Sequence, residues 1–229
     1  MAALLSHWLL EWRRRWSLRR RPPGPLYDYL SMPFPSPSLD YRQVSYLAVD
    51  LETTGLDARS DQILSIGWVL LEGNRIDLSS ARHRLVRVQG DIPADTAVIH
   101  QITDDLAATG LDLAAALPEF LHDLRGRVMI AHHARIEQTF LAAACQRSFG
   151  AGLLVRTVDT QLIARRMLER RHVAFKGSDL RLHALGERYY LPRYGAHNAL
   201  SDALAAAELF LAQAAHRDNG RGMALSNFL

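Results

Sequence analysis

Val49-Asp50-Leu51-Glu52-Thr53-Thr54-Gly55 decides how this chain reads, because an apolar run ends there in two carboxylates one residue apart, followed by a turn glycine. Residues 44–49 are apolar and β-prone, and on a strand positions i and i+2 share a face, so Asp50 and Glu52 converge on one spot. Hard divalent cations such as Mg²⁺ or Mn²⁺ take oxygen ligands, and a phosphodiester under attack needs its developing charge neutralised. Paired carboxylates at a strand end therefore suit phosphoryl-transfer chemistry. An acidic strand terminus exposed to water would look the same, so two further segments decide the matter.

The second segment runs from Val128-Met129-Ile130-Ala131 through His132-His133-Ala134-Arg135-Ile136 to Glu137, a short apolar strand entering a helix whose first turns carry a carboxylate. The third is His197-Asn198-Ala199-Leu200-Ser201-Asp202, leading into the alanine- and leucine-rich run 203–215 of strong helix formers. Asn198 or Ser201 is the expected N-cap. That places His197 on a loop and Asp202 on a rigid element, which suits a base that moves and a ligand that does not.

In order and type, these three segments resemble the motifs of the DEDDh 3′–5′ exonucleases, the family of the DNA polymerase III epsilon subunit, RNase T and oligoribonuclease. Asp50 and Glu52 match the first motif, and His197 and Asp202 match the third at the family spacing; the likeness spans about residues 44 to 216. The second motif departs from the pattern. Glu137 stands where the family has aspartate, His133 where it commonly has asparagine and Ile136 where it commonly has phenylalanine, making a divergent, DEEDh-type member.

The resemblance implies two divalent cations, Mg²⁺ or Mn²⁺, about 4 Å apart, held by Asp50, Glu52, Glu137 and Asp202. His197 would be the general base, and nucleoside 5′-monophosphates would leave from the 3′ end of single-stranded DNA or short oligonucleotides. With an unperturbed pKa of about 6.5 for His197, activity is expected to fall below that pH. The resemblance also implies substrate contacts: Thr53 and Thr54 to the terminal sugar or phosphate, Leu56 near its base, and His100 and Thr103, from a His-x-Ile-Thr segment, beside the 3′ nucleoside. Thr53 and Thr54 would equally form a turn closed by Gly55, and His100 would equally be a capping or surface histidine. Two rivals stand beside this reading: an exoribonuclease specialised for RNA ends or dinucleotides, and a nucleic-acid- or polymerase-binding module with weakened catalysis. A place in DNA repair or proofreading is carried by family analogy.

Other polar residues read more plainly. Asp159 is expected to N-cap a helix. His132, His133, His172 and His183 match no closed zinc spacing, and the lone Cys145 is expected to be a small buried hydrophobe. One cysteine excludes an intrachain disulfide framework, no run of about 18 apolar residues exists to span a bilayer, and the expected setting is cytoplasmic.

Residues 1–42 hold seven arginines against Glu11, Asp28 and Asp40, a net +4, while the whole chain is +3, so the remainder is near −1. Trp8, Trp12 and Trp16 recur every four residues beside Leu5 and Leu9, predicting an amphipathic helix over about 3–18 backed by arginines. Such a helix could meet its own domain, a protein partner, single-stranded nucleic acid or a membrane surface, with its own domain or a protein partner the expected choice. Six of the nine prolines lie in 21–37, predicting an extended connector. The organisation is thus a basic helical extension (1–21), a proline-rich linker (22–42), an exonuclease domain (43–217) and a C-terminal tail (218–229). Strands are expected at 44–52, 63–71, 81–88, 128–131 and 153–158, and helices at 113–124, 136–146, 160–170, 179–189 and 199–216, with a loop at 170–178 around Lys176. This is an α/β order with a mixed central sheet flanked by helices, similar to the ribonuclease H-like fold.

Overall fold

β1 (Ser45–Thr53) is the central strand of a five-stranded sheet of order β3-β2-β1-β4-β5, with β2 (Ile63–Glu72) and β3 (Arg75–Leu85) antiparallel to it and β4 (Val128–Ala131) and β5 (Thr157–Asp159) parallel. The computed structural model describes residues 2–195 and 198–229, residues 2–4 as backbone. Alternation along β1 divides the core. Leu47, Val49 and Leu51 enter a cluster with Trp68, Phe120 and Phe140, whereas Tyr46 and Ala48 enter the cluster on the other face with Phe210 and Phe228. Helices α5 (Leu113–Leu124) and α6 (Arg135–Phe149) cover the first face, and α9 (Ala199–Arg217) covers the second. Asp50 and Glu52 share parity with Tyr46 and Ala48, so they leave β1 on the α9 face.

Several expectations shift at their edges. The third strand spans 75–85, ahead of the expected 81–88. Of the apolar run 153–158 only the last two residues, with Asp159, pair as β5; Leu153 is buried against the helices, and the Leu154 carbonyl accepts from Tyr29 Oη. Burial without a partner strand explains why an apolar β-prone stretch is not all strand. Short helices α3 (Ala94–His100) and α4 (Asp104–Ala108) fill a stretch for which no element was expected. Helix α7 (Thr160–Arg170) follows β5, and α8 (Leu182–Arg188) is shorter than the expected 179–189 because residues 177–180 form a 3₁₀ turn.

The proline-rich stretch is not an extended connector. Pro25 starts α2 (Pro25–Ser31), where a missing amide hydrogen costs nothing, and Leu26, Tyr29, Leu30 and Phe34 are buried in the first core. The C-terminal segment is equally built in. Tyr41 N donates to Met223 O and Leu225 N to Leu39 O, while Leu225 and Phe228 are buried in the second core, so residues 37–41 and 223–228 brace one another. Helix α1 (Ala2–Leu18) is the expected N-terminal helix. Cys145 is buried, as expected. Among the described residues no helix is long and apolar enough to cross a membrane.

Candidate active site

Carboxylate oxygens of Asp50, Glu52 and Asp202 lie within 4.8 Å of one another at the C-terminal end of β1. Two come from one strand by its twofold alternation, and the third comes from the first turn of α9. Asn198 caps that helix: its side-chain oxygen accepts from Ser201 N at 3.2 Å. The close approach of α9 rests on Gly67. This residue pairs with Asp50 across the β1–β2 ladder, and a Cβ there would run into the backbone of Ala199 and Leu200. Only a residue without a side chain lets the helix start touch the sheet beside Asp50.

Glu137 enters from the first turn of α6 and is 3% exposed. No side chain caps α6; its entry loop is instead held by Asp159. The Asp159 carboxylate accepts from His133 N and Ala134 N, and it also accepts from Gln161 N and Leu162 N as the N-cap of α7. His133, at φ 64°, takes a left-handed turn that this clamp sustains. Burial pushes the Glu137 carboxyl up to about 8, with Asp159 and Glu52 adding repulsion. Burial also raises Asp50 well above the usual aspartate range, reinforced by Glu137, Glu52 and Asp202. Glu52 Oε1 and Glu137 Oε2 are buried with no hydrogen-bond partner among the described residues. The converging carboxylates of Asp50, Glu52 and Asp202, with Glu137 close enough to add repulsion although outside that group of three, are costly to ionise together and fit hard divalent cations, which bind oxygen and cancel the repulsion.

The histidines take separate places. His197 lies outside the described residues. His100, at the end of α3, places Nδ1 2.5 Å from Glu52 Oε2, so it supports a candidate ligand directly. His183 Nε2 stands 3.9 Å from Asp202 Oδ1. His132 bridges Thr160 Oγ1 and Leu180 O, and burial depresses it to about 4, so it is a neutral tie between elements. His83 was not singled out from sequence. It pairs with Gly67, which pairs with Asp50, so the three form one row across the sheet. Period-two alternation on β3 was the available signal.

The loop after β1 uses its own polar groups. Thr53 Oγ1 donates to Gly55 O, the Thr54 amide donates to Gln62 O, and the Thr54 hydroxyl accepts from Gln62 N. The Thr54 amide is therefore committed within the fold. Thr103 Oγ1 accepts from Leu106 N as the N-cap of α4. Leu56 is 81% exposed at the loop tip. It borders a cavity of about 670 Å³ reaching His133, Ile136 and Thr139, while Glu52, Ser65, His83, His100 and Asn198 line another of about 490 Å³. Both volumes suit a small ligand or one residue of a polymer.

The exonuclease family profile (RNase T) matches residues 47–210. The DNA polymerase III epsilon subunit of Treponema pallidum is 30% identical over 185 residues, covering 80% of this chain and 82% of that protein. A PolC-type DNA polymerase III of Thermotoga maritima is 28% identical over 171 residues, 75% of this chain but 12% of its own length. Among solved structures, the zinc-bound exonuclease I–single-stranded DNA complex of E. coli superposes with a TM-score of 0.64 at 15% identity, covering 76% of this chain and 41% of that one. Exonuclease X with 5′-overhanging duplex DNA gives 0.58 at 21% identity, covering 80% and 99%. At these identities the two structures establish likeness of fold.

Proposed function

The chain belongs to the exonuclease family of nuclease hydrolases, and from that premise we propose that it is a metal-dependent 3′–5′ exonuclease acting on single-stranded DNA or short oligonucleotides and releasing nucleoside 5′-monophosphates. The convergence of Asp50, Glu52 and Asp202 within 4.8 Å carries this reading. Asp50, Glu52, Glu137 and Asp202 would hold two divalent cations, Mg²⁺ or Mn²⁺. When bound, these supply neutralisation of the charge that develops on the phosphodiester oxygens.

The chain's own groups do the rest. Asp202 is set by the Asn198 cap and the Gly67 contact, and Glu52 by His100. His197, one residue before the cap, accepts the proton of the attacking water. The new bond forms at the terminal phosphorus, the bond to the 3′ oxygen of the preceding nucleotide breaks, and the monophosphate leaves. Leu56, exposed at the loop tip, packs near the terminal base, and Thr53 offers hydroxyl lone pairs to its sugar. Thr103, whose hydroxyl oxygen caps α4, keeps its hydroxyl hydrogen for a contact beside the 3′ nucleoside, and His100 contributes through Glu52.

The test is degradation of matched 5′-labelled DNA and RNA of graded length, with Mg²⁺ or Mn²⁺, by the wild type and Asp202→Asn. Stepwise shortening from the 3′ end, lost in the variant and faster on DNA, is expected. Preference for RNA or dinucleotides would replace the substrate assignment. Absence of metal-dependent cleavage on every substrate would leave a binding module.

A further inference from the structure

Helix α1 carries its apolar face outward. At about 100° per residue, Leu5, Trp8, Leu9, Trp12 and Trp16 fall on one arc of roughly 100°, with Arg15 at one edge and Arg13 at the other; Arg20, in the turn after the helix, lays its guanidinium over the Trp16 ring at 4.0 Å. These five apolar side chains are 68%, 67%, 51%, 52% and 50% exposed. The inward side is held by Leu10 and Leu18, packed against the first core, and by polar contacts: Arg14 donates to the Leu30 carbonyl, Glu11 pairs with Arg14 and accepts from Phe34 N, and His7 meets Arg156. Together these contacts keep the helix from rolling its tryptophans into the core.

We propose that this ridge docks the protein on the surface of an anionic lipid bilayer. Tryptophan rings belong at the boundary between headgroups and acyl chains, where an apolar body and a polar N–H are both accommodated. Exposed Arg13, Arg15, Arg19 and Arg20 flank and follow the ridge, and the helix's single acid, Glu11, is already neutralised by Arg14. This charge complements a surface of anionic headgroups. A second copy of the helix would bring like charges together. The ridge itself is five apolar side chains, each half or more exposed. Its anchors, Arg156 ahead of β5 and the Phe149 carbonyl bonded by Arg21 at the end of α6, lie at the sheet end opposite the carboxylates, about 20 Å away along α6. A docked molecule keeps its acidic cluster facing away from the membrane.

The test is flotation of the full chain with phosphatidylcholine vesicles doped with phosphatidylglycerol, against pure phosphatidylcholine, at low and high salt. Binding to the anionic vesicles that weakens with salt, with a blue shift of tryptophan emission, is expected. Trp8→Ser with Trp12→Ser should lower affinity at least about tenfold, and Arg13→Gln with Arg20→Gln about 30-fold. An unchanged thermal melt shows that these surface variants still fold. No flotation at low salt, equal binding to neutral vesicles or unaltered binding by the tryptophan variant would each overturn the proposal. So would a tryptophan-dependent dimer, or tryptophan-dependent binding of a labelled oligonucleotide, in the absence of vesicle binding.

Discussion

Helices α9 and α6 each carry one candidate carboxylate toward Asp50, Asp202 into the 4.8 Å cluster and Glu137 beside it, and they do so by opposite means. α9 starts with a local signal: Asn198 caps it, Asp202 lies in its first turn, and Gly67 receives it on the sheet. α6 has no side-chain cap, and the loop that leads to Glu137 is held by Asp159, a residue more than twenty positions later on another element. The comparison teaches that a ligand set can be half locally encoded and half assembled by tertiary contacts. The two halves should fail differently.

The largest effect is expected on the α9 side. Asp202→Asn should lower nuclease turnover by about 10²–10³-fold, the scale of losing a preorganised electrostatic group, while the melting temperature stays or rises because repulsion is relieved. Gly67→Ala should displace the start of α9. A shift near 1 Å costs about 100-fold in rate, and overpacking costs about 1–3 kcal/mol in stability, so kinetics and denaturant melts together separate it from Asp202→Asn. Activity intact in Gly67→Ala would break the positional argument for α9.

On the α6 side, Asp159→Ala should release the His133 loop and uncap α7, costing about 1–2 kcal/mol together with a loss of turnover. An equal stability loss with normal turnover would show that Asp159 merely caps α7.

The pH response sharpens the contrast. The Glu137 carboxyl is raised from about 4.5 to about 8 by burial. Below pH 4.5 the folded and unfolded chains are both protonated there; between 4.5 and 8 the folded chain retains a proton that the unfolded chain has released. Stability of the metal-free protein should therefore fall as pH rises through that window. Glu137→Gln should flatten the fall, and Mg²⁺ should counter it in the wild type, at about 2–4 °C of melting temperature per kcal/mol for a chain of this size. A wild-type slope unchanged by Glu137→Gln would place the titration elsewhere. The smallest effect belongs to Asn198→Ala, about 1 kcal/mol, read from the same melts.

Much of this was legible before any coordinates. Asp50 and Glu52 were placed on one face by strand alternation, Asn198 and Asp159 were recognisable as caps, and α5 and α7 begin and end where periodicity put them. Where the reading slipped, composition stood in for contact. Six prolines suggested an extended connector, yet Leu26, Tyr29 and Phe34 bury themselves; an apolar run suggested a full fifth strand, yet Leu153 found helices to pack on.

Short-range rules therefore determined the strand carrying two carboxylates, the capped helix carrying a third, and the amphipathic pattern of α1, because alternation, capping and helical periodicity act within a few residues. Only the tertiary structure decided that Gly67 lets α9 touch the sheet, that Asp159 holds the loop entering α6 ahead of Glu137, that His100 and His83 flank the cluster, and that the tryptophans face outward. Those outcomes depend on which distant surfaces meet, and no local spacing specifies that.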